Sequence, residues 1–119
     1  MDRSLRIYIA GPYTHGDVAL NVRQAMEAAV EIIDAGHVPF VPHLYHFLHC
    51  CFPQPYEVWM RLDLRWLSCC HALLRLPGDS PGADREADVA VQMGLPIYHD
   101  VHQLLDRLPL HSHTERTVS

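Results

Sequence analysis

Leu76-Pro-Gly-Asp-Ser-Pro-Gly-Ala-Asp-Arg-Glu86 sets the architecture of this chain. The stretch begins at the end of an apolar run and turns through Pro77-Gly78. It then enters an alanine-rich segment that reaches Gly94, followed by a new apolar run, Leu95-Pro-Ile-Tyr98. The pattern is a strand end, a tight loop, a helix, a glycine stop and another strand. Ser80 has the chemistry of an N-cap and Pro81 suits the first helical position, where its missing N–H costs nothing. Gly94 fits just beyond the helix C-terminus. Ala83, Ala87, Ala90, Val91 and Gly94 form a small-residue stripe at helical spacing. Glu86 lies beside it, one turn in, where the helix dipole favours an ionised carboxylate. In α/β sheets ligands bind at the loops after strand carboxyl ends, which is where this acid falls. The plainer alternatives are a solvated helix carboxylate for Glu86 and a simple cap for Ser80.

Length and composition fit one folded domain. The 119 residues are 49% hydrophobic and 19% charged, with a formal net charge of -5. That balance is globular and gives no reason to expect a nucleic-acid polymer or an anionic membrane as partner. No leader-like segment and no apolar run long enough to span a bilayer is visible, so the expectation is a soluble cytoplasmic protein. The four cysteines are two adjacent pairs, Cys50-Cys51 and Cys69-Cys70. Neither pair has zinc-site or redox-motif spacing, and reduced thiols are expected.

Working outward from the N-terminus, Leu5–Ala10 is rich in β-formers and reads as a first strand. Residues 11–16 form a loop, and Asp17 can cap the helix that follows. Val18, Val22, Ala25, Met26, Ala29, Val30 and Ile33 supply its apolar face, and Gly36 ends it. His37–Val41 is a second strand, so the first forty residues form a βαβ unit with a right-handed crossover. Gly11 permits close backbone approach to a ligand, although neither a dinucleotide nor a triphosphate motif is present.

His43, His46 and His49 recur at every third position beside Cys50-Cys51. These are metal-ligand types, but no acid is interleaved, and Leu44, Tyr45, Phe47 and Leu48 give the run the character of core. Tyr56–Cys70 reads as a helix, with Glu57, Arg61, Arg65 and Ser68 on a polar face. Trp59, Leu62, Trp66, Leu67 and Cys70 mark the apolar one. Asp63 belongs to the apolar face by spacing. A carboxylate among tryptophans is costly unless it is bonded or used. His71–Leu76 is a third strand, Leu95–His99 a fourth and Val101–Leu108 a last helix. The expected domain covers residues 1–109, with a polar, flexible tail at 110–119.

In a sheet of order 2-1-3-4 the loop at Gly11, the loop at Ser80 and the helix bearing Glu86 converge. Asp63 can face the same cleft, and Tyr8 can offer a phenol to a carboxylate there. One acid able to attack, a second able to bond or protonate and a phenol to orient the first suit transfer of a glycosyl group. That chemistry passes through a carboxylate ester and needs no metal or cofactor.

The segments Ile-Tyr-Ile-Ala-Gly-Pro-Tyr (7–13), Trp-Met-Arg-Leu-Asp-Leu-Arg-Trp-Leu (59–67) and Ser-Pro-Gly-Ala-Asp-Arg-Glu (80–86) together resemble the nucleoside 2-deoxyribosyltransferase superfamily. The likeness is to its small bacterial and phage members and runs from about Leu5 to Tyr98. It implies a flavodoxin-like three-layer α/β sandwich with a parallel sheet of four to five strands. It also implies cleavage of the N-glycosidic bond of a nucleoside or its 5′-monophosphate. Glu86 falls on the family nucleophile, Tyr8 on the tyrosine that positions it and Asp63 on an aspartate of the sugar and base pocket. Gly11, Tyr13, Ser80, Gly82 and Asp84 fall among the substrate-binding positions. Serine at position 80 is the form found in the family's 5′-monophosphate N-hydrolases, and a helix N-terminus suits an anion. Acid in its place marks the transferases. The chain departs from the family pattern at His71, where an acid is usual, and at Asp84, where glycine is common. The resemblance further implies a homodimer or larger homo-oligomer. A nucleotide-binding module without chemistry and a His/Cys metal protein are the competing expectations.

Overall fold

The computed structural model of the protein describes residues 4–107. Four parallel strands, β1 (Arg6–Ala10), β2 (Val38–Phe40), β3 (Ala72–Arg75) and β4 (Ile97–Tyr98), form one sheet of order β2-β1-β3-β4. The expected order and fold class are therefore found, with four strands rather than five. Five helices accompany them: α1 (Val18–Asp34), α2 (His46–Cys51), α3 (Tyr56–Leu67), α4 (Pro81–Gln92) and α5 (Val101–Arg107). A short 3-10 turn, Pro42–Tyr45, precedes α2. Leu108 and the tail expected at 110–119 lie outside the described residues.

Side-chain alternation along the central strands divides the core in two. Ile7, Ile9, Ala72 and Leu74 pack with Ala25, Ala28, Ala29 and Ile32 of α1 and Leu104 of α5. Tyr8, Ala10 and Leu73 face the other way, against Leu67 and Cys70 at the end of α3 and Ala83 and Ala90 of α4. The result is helix, sheet, helix, in three layers.

Helix ends follow the sequence closely. The Asp17 side chain accepts from the Leu20 amide at 3.1 Å, and Ser80 Oγ accepts from the Ala83 amide at 3.1 Å. At the far end of α4, Gly94 has φ +79°. Its N–H donates to the Val91 carbonyl at 3.0 Å, while the Leu95 N–H reaches the Ala90 carbonyl at 2.9 Å. This is a Schellman motif, and it turns the chain directly into β4.

The faces of the helices differ in part from expectation. On α1 the buried residues are Ala25, Ala28, Ala29 and Ile32, an unbroken i, i+3, i+4, i+7 stripe, while Met26, Val30 and Ile33 are exposed. Helix α1 carries two apolar stripes, and the one rich in alanine permits the closer approach to the sheet. On α3 the buried positions are Met60 and Leu67, followed by Cys70 beyond the helix, and Trp66 is half-exposed. In α4 Val91 points outward, although Ala83 and Ala90 pack as expected. The largest difference is residues 43–52. Leu44, Phe47, Leu48 and Phe52 are not core: they project outward, with Phe47 72% exposed. His43, Tyr45, His46 and His49 turn inward instead, over the site described next.

Candidate active site

A cavity of about 460 Å³ opens beyond the carboxyl ends of β1 and β3. Four segments wall it: the loop after β1, the 3-10 turn with α2, the first two turns of α3 and the N-terminal turns of α4. Glu86 stands on its wall and is only 5% exposed. The Tyr8 hydroxyl, rising from the fully buried middle of β1, donates to Glu86 Oε2. β1 supplies the phenol and α4 the carboxylate, so the layer contact between sheet and helix holds the pair. Asp63 faces the same cavity from α3, and its Oδ1 is buried with no hydrogen-bond partner among the described residues.

Burial dominates the electrostatics. It pushes the Glu86 carboxyl up to about 8; the nearby Asp63 pushes in the same direction, and the Tyr8 hydrogen bond and Arg75 oppose it. Burial also raises Asp63 to about 7. Tyr8 is driven far above the range in which phenols ionise, by burial and by the two carboxyls, so it acts solely as a donor towards Glu86. The helix dipole alone would favour an ionised Glu86, but such a terminus contributes about 0.3–1 kcal/mol, less than burial of the charge costs. Among the described residues no Arg or Lys side chain lines the cavity.

The cavity gathers Glu86, Asp63, Gly11, Tyr13, Ser80 and Gly82, all named from the sequence. Tyr8 lies behind Glu86. Asp84 is not brought there: it is exposed, bonded to Arg75 at 2.9 Å and borders a separate shallow depression. Its place on α4, two residues before Glu86, turns it to a different side of the helix, so it is not the carboxyl that raises Glu86. His71 is likewise away from the cavity; its Nδ1 accepts from the Arg6 amide at 2.9 Å.

Sequence reasoning missed the opposite wall. His43, Tyr45, His46 and His49 all line it, with Tyr56 and Trp59. His43 is buried and Nε2 donates to the Pro12 carbonyl at 3.0 Å, while burial lowers its proton affinity against the pull of that backbone bond. Tyr13 Oη and His46 Nδ1 lie 2.6 Å apart, and the Trp59 indole N–H donates to His49 Nδ1 at 2.7 Å. Each imidazole is thus engaged separately. Among the described residues no group of three His, Cys, Asp or Glu side chains could hold a metal ion, and all four cysteines are free thiols. The available signal was position: this run directly follows the carboxyl end of β2. Among the described residues no helix is long and apolar enough to cross a membrane.

A parallel sheet of order 2-1-3-4 between helices, with its cavity at the strand carboxyl ends, defines a flavodoxin-like α/β protein. The solved structure of a 2-deoxyribosyltransferase from the psychrotolerant bacterium Bacillus psychrosaccharolyticus shares this fold, with a TM-score of 0.55 at 20% sequence identity. The match covers 77% of this chain and 69% of that one. No curated protein matches the sequence. A domain of unknown function, DUF7768, matches residues 5–100, and the chain belongs to that family.

Proposed function

We propose that the protein cleaves the N-glycosidic bond of nucleosides or nucleoside 5′-monophosphates, of the 2′-deoxy series first, through a covalent ester on Glu86. The observation that carries this reading is a buried carboxyl on the cavity wall, bonded to a phenol and sharing the cavity with a second carboxyl whose buried Oδ1 has no partner among the described residues. Glu86 as carboxylate attacks C1′ of the sugar. The C1′–N bond breaks and its electron pair leaves with the base. Asp63 in its neutral form supplies the proton that the base takes up. Water or the ring nitrogen of a second base then attacks C1′, the ester bond breaks, and the attacking group's proton returns to Asp63. Tyr8 keeps one Glu86 oxygen fixed while the other reacts.

Gly11, Tyr13 and Gly82 form the floor and rim on which the sugar rests. A Cβ at Gly82 would meet the hydroxyl end of the exposed Tyr56 side chain at 3.2 Å, a tight contact that glycine leaves out beside the cavity. A 5′-phosphate would rely on the Ser80 hydroxyl and the N-terminal amides of α4, since no Arg or Lys among the described residues lines the cavity. The reading extends to a homo-oligomer in the cytoplasm.

The test is chromatographic detection of free base. Each 2′-deoxynucleoside and its 5′-monophosphate is offered, with and without a second base, beside Glu86→Ala. Release from monophosphates alone makes the protein a hydrolase; exchange between bases makes it a transferase. Glu86→Ala is expected to reduce either activity by roughly a thousandfold or more, as loss of a nucleophile does. Undiminished release in that variant would refute the mechanism. Binding without release by the wild type would leave a nucleotide-binding module.

A further inference from the structure

We propose that the wall built by Trp59, Tyr45 and His49 is the subsite for a flat heteroaromatic ring, and that His49 is the positioning residue that sets the plane of the indole. The three side chains come from three elements, α3, the 3-10 turn and α2, and all line the cavity. Tyr45 and Trp59 pack with ring centroids 5.4 Å apart and planes inclined by 32°. His49 meets the indole edge-on, at 5.6 Å and 74°. An indole N–H is a donor only, so the 2.7 Å bond it gives to His49 Nδ1 requires an unprotonated nitrogen there. The Gln54 amide approaches the same nitrogen at 3.4 Å. Tyr45 is braced in turn: its hydroxyl accepts from the Trp66 indole N–H at 3.2 Å.

Two observations make this more than aromatic packing. Trp59 is half-buried at a cavity rather than closed in the core. It also stands four residues before Asp63, one helical turn away on the same side of α3. That rise is about 5–6 Å, the scale that separates a sugar's anomeric carbon from the far side of an attached base. A ring on Trp59 would therefore extend from a sugar held between Asp63 and Glu86. The identity of the ring as a nucleobase rests on the glycosidic reading above; the wall itself does not.

Free adenine, cytosine and thymine test the wall without any glycosidic bond. Titration should quench the tryptophan emission of the wild type saturably for at least one base. Trp59→Leu, which leaves Trp66 as its tryptophan, should show no quenching and a calorimetric Kd weaker by roughly tenfold or more, the loss expected for a stacking platform. His49→Gln retains an acceptor for the indole and should keep Kd within about twofold, whereas His49→Ala should weaken it about fivefold at unchanged thermal stability. The proposal is overturned if no base quenches emission, or if Trp59→Leu binds as the wild type does. Equal loss in His49→Gln and His49→Ala would remove the positioning role. Base binding without any turnover refutes the glycosidic reading and keeps the wall. Turnover with an unaltered KM in Trp59→Leu refutes the wall and keeps the chemistry.

Discussion

The proposed reaction needs a charged Glu86, and this residue is placed where charge is expensive. Its carboxyl is raised to about 8, so the acidic limb of kcat/KM should lie well above the ordinary carboxylate range. The two neighbours act on it with opposite signs. Tyr8→Phe removes a bond that favours the carboxylate and should move the limb to higher pH. Asp63→Asn removes a repulsion and should move it lower, even at a much reduced rate; pH profiles of the two variants check both directions. The same placement has a cost in stability. A carboxyl raised in the folded state favours folding at low pH, and that contribution is lost as pH rises from about 4.5 through about 8. Glu86→Gln keeps an acceptor for Tyr8 without the charge. It should match the wild type in urea denaturation at pH 4.5 and exceed it at pH 9, with the difference growing across that window. The meeting of Glu86, Tyr8 and Asp63 at one cavity was legible because acids and a phenol in apolar surroundings are anomalous wherever they occur. The outward turn of Asp84 was not legible, since nothing local distinguishes it from Glu86: only the packing of α4 on the sheet selects the inward side.

Among the elements, α4 shows how local rules serve a remote purpose. Its cap, its first-turn proline and its closing glycine were readable one by one, because each satisfies backbone groups within a few residues. A Cβ at Gly94 would meet nothing within 4 Å, so the effect of Gly94→Ala is that of the backbone alone. The positive φ makes it destabilising by about 1 kcal/mol, measurable by thermal or urea unfolding, with no change in ligand binding. The inward face of α1 and the fate of residues 43–52 were harder to read. Each offers two apolar stripes, and periodicity gives no preference between them. The choice comes from what the partner surface accepts: small residues against the sheet in one case, imidazoles and a tyrosine over a cavity in the other.

At the scale of the whole molecule, the apolar runs of β1 and β3 are buried almost residue for residue, as a sheet covered on both sides requires. The order 2-1-3-4 is the one in which the Gly11 loop, the Ser80 loop and the helix bearing Glu86 converge on one cleft, and the sheet has that order. What no local pattern conveys is the outward projection of Leu44, Phe47, Leu48 and Phe52 beside the cavity mouth. Several exposed apolar side chains close together in sequence are a feature expected of an association surface, in keeping with the homo-oligomer proposed above. Phe47→Glu places a charge at the most exposed of them. It should lower the sedimentation coefficient to that of a monomer without reducing helical content; an unchanged coefficient would place the contact elsewhere.

The short outer strands carry a different consequence. The Val38 amide of β2 donates inward to the Leu5 carbonyl at 2.9 Å, and β2 pairs with β1 at Val38, Pro39 and Phe40. Alternation then turns the nitrogen of Pro39 to the open side, where a proline has no hydrogen to give. On the other flank β4 spans just Ile97–Tyr98 and is followed at once by α5. Neither margin offers an arriving chain a run of free donors and acceptors on which to zip. A greasy rim can therefore coexist with a sheet that resists lengthening, and copies that meet are steered to join through side chains rather than through a shared backbone ladder.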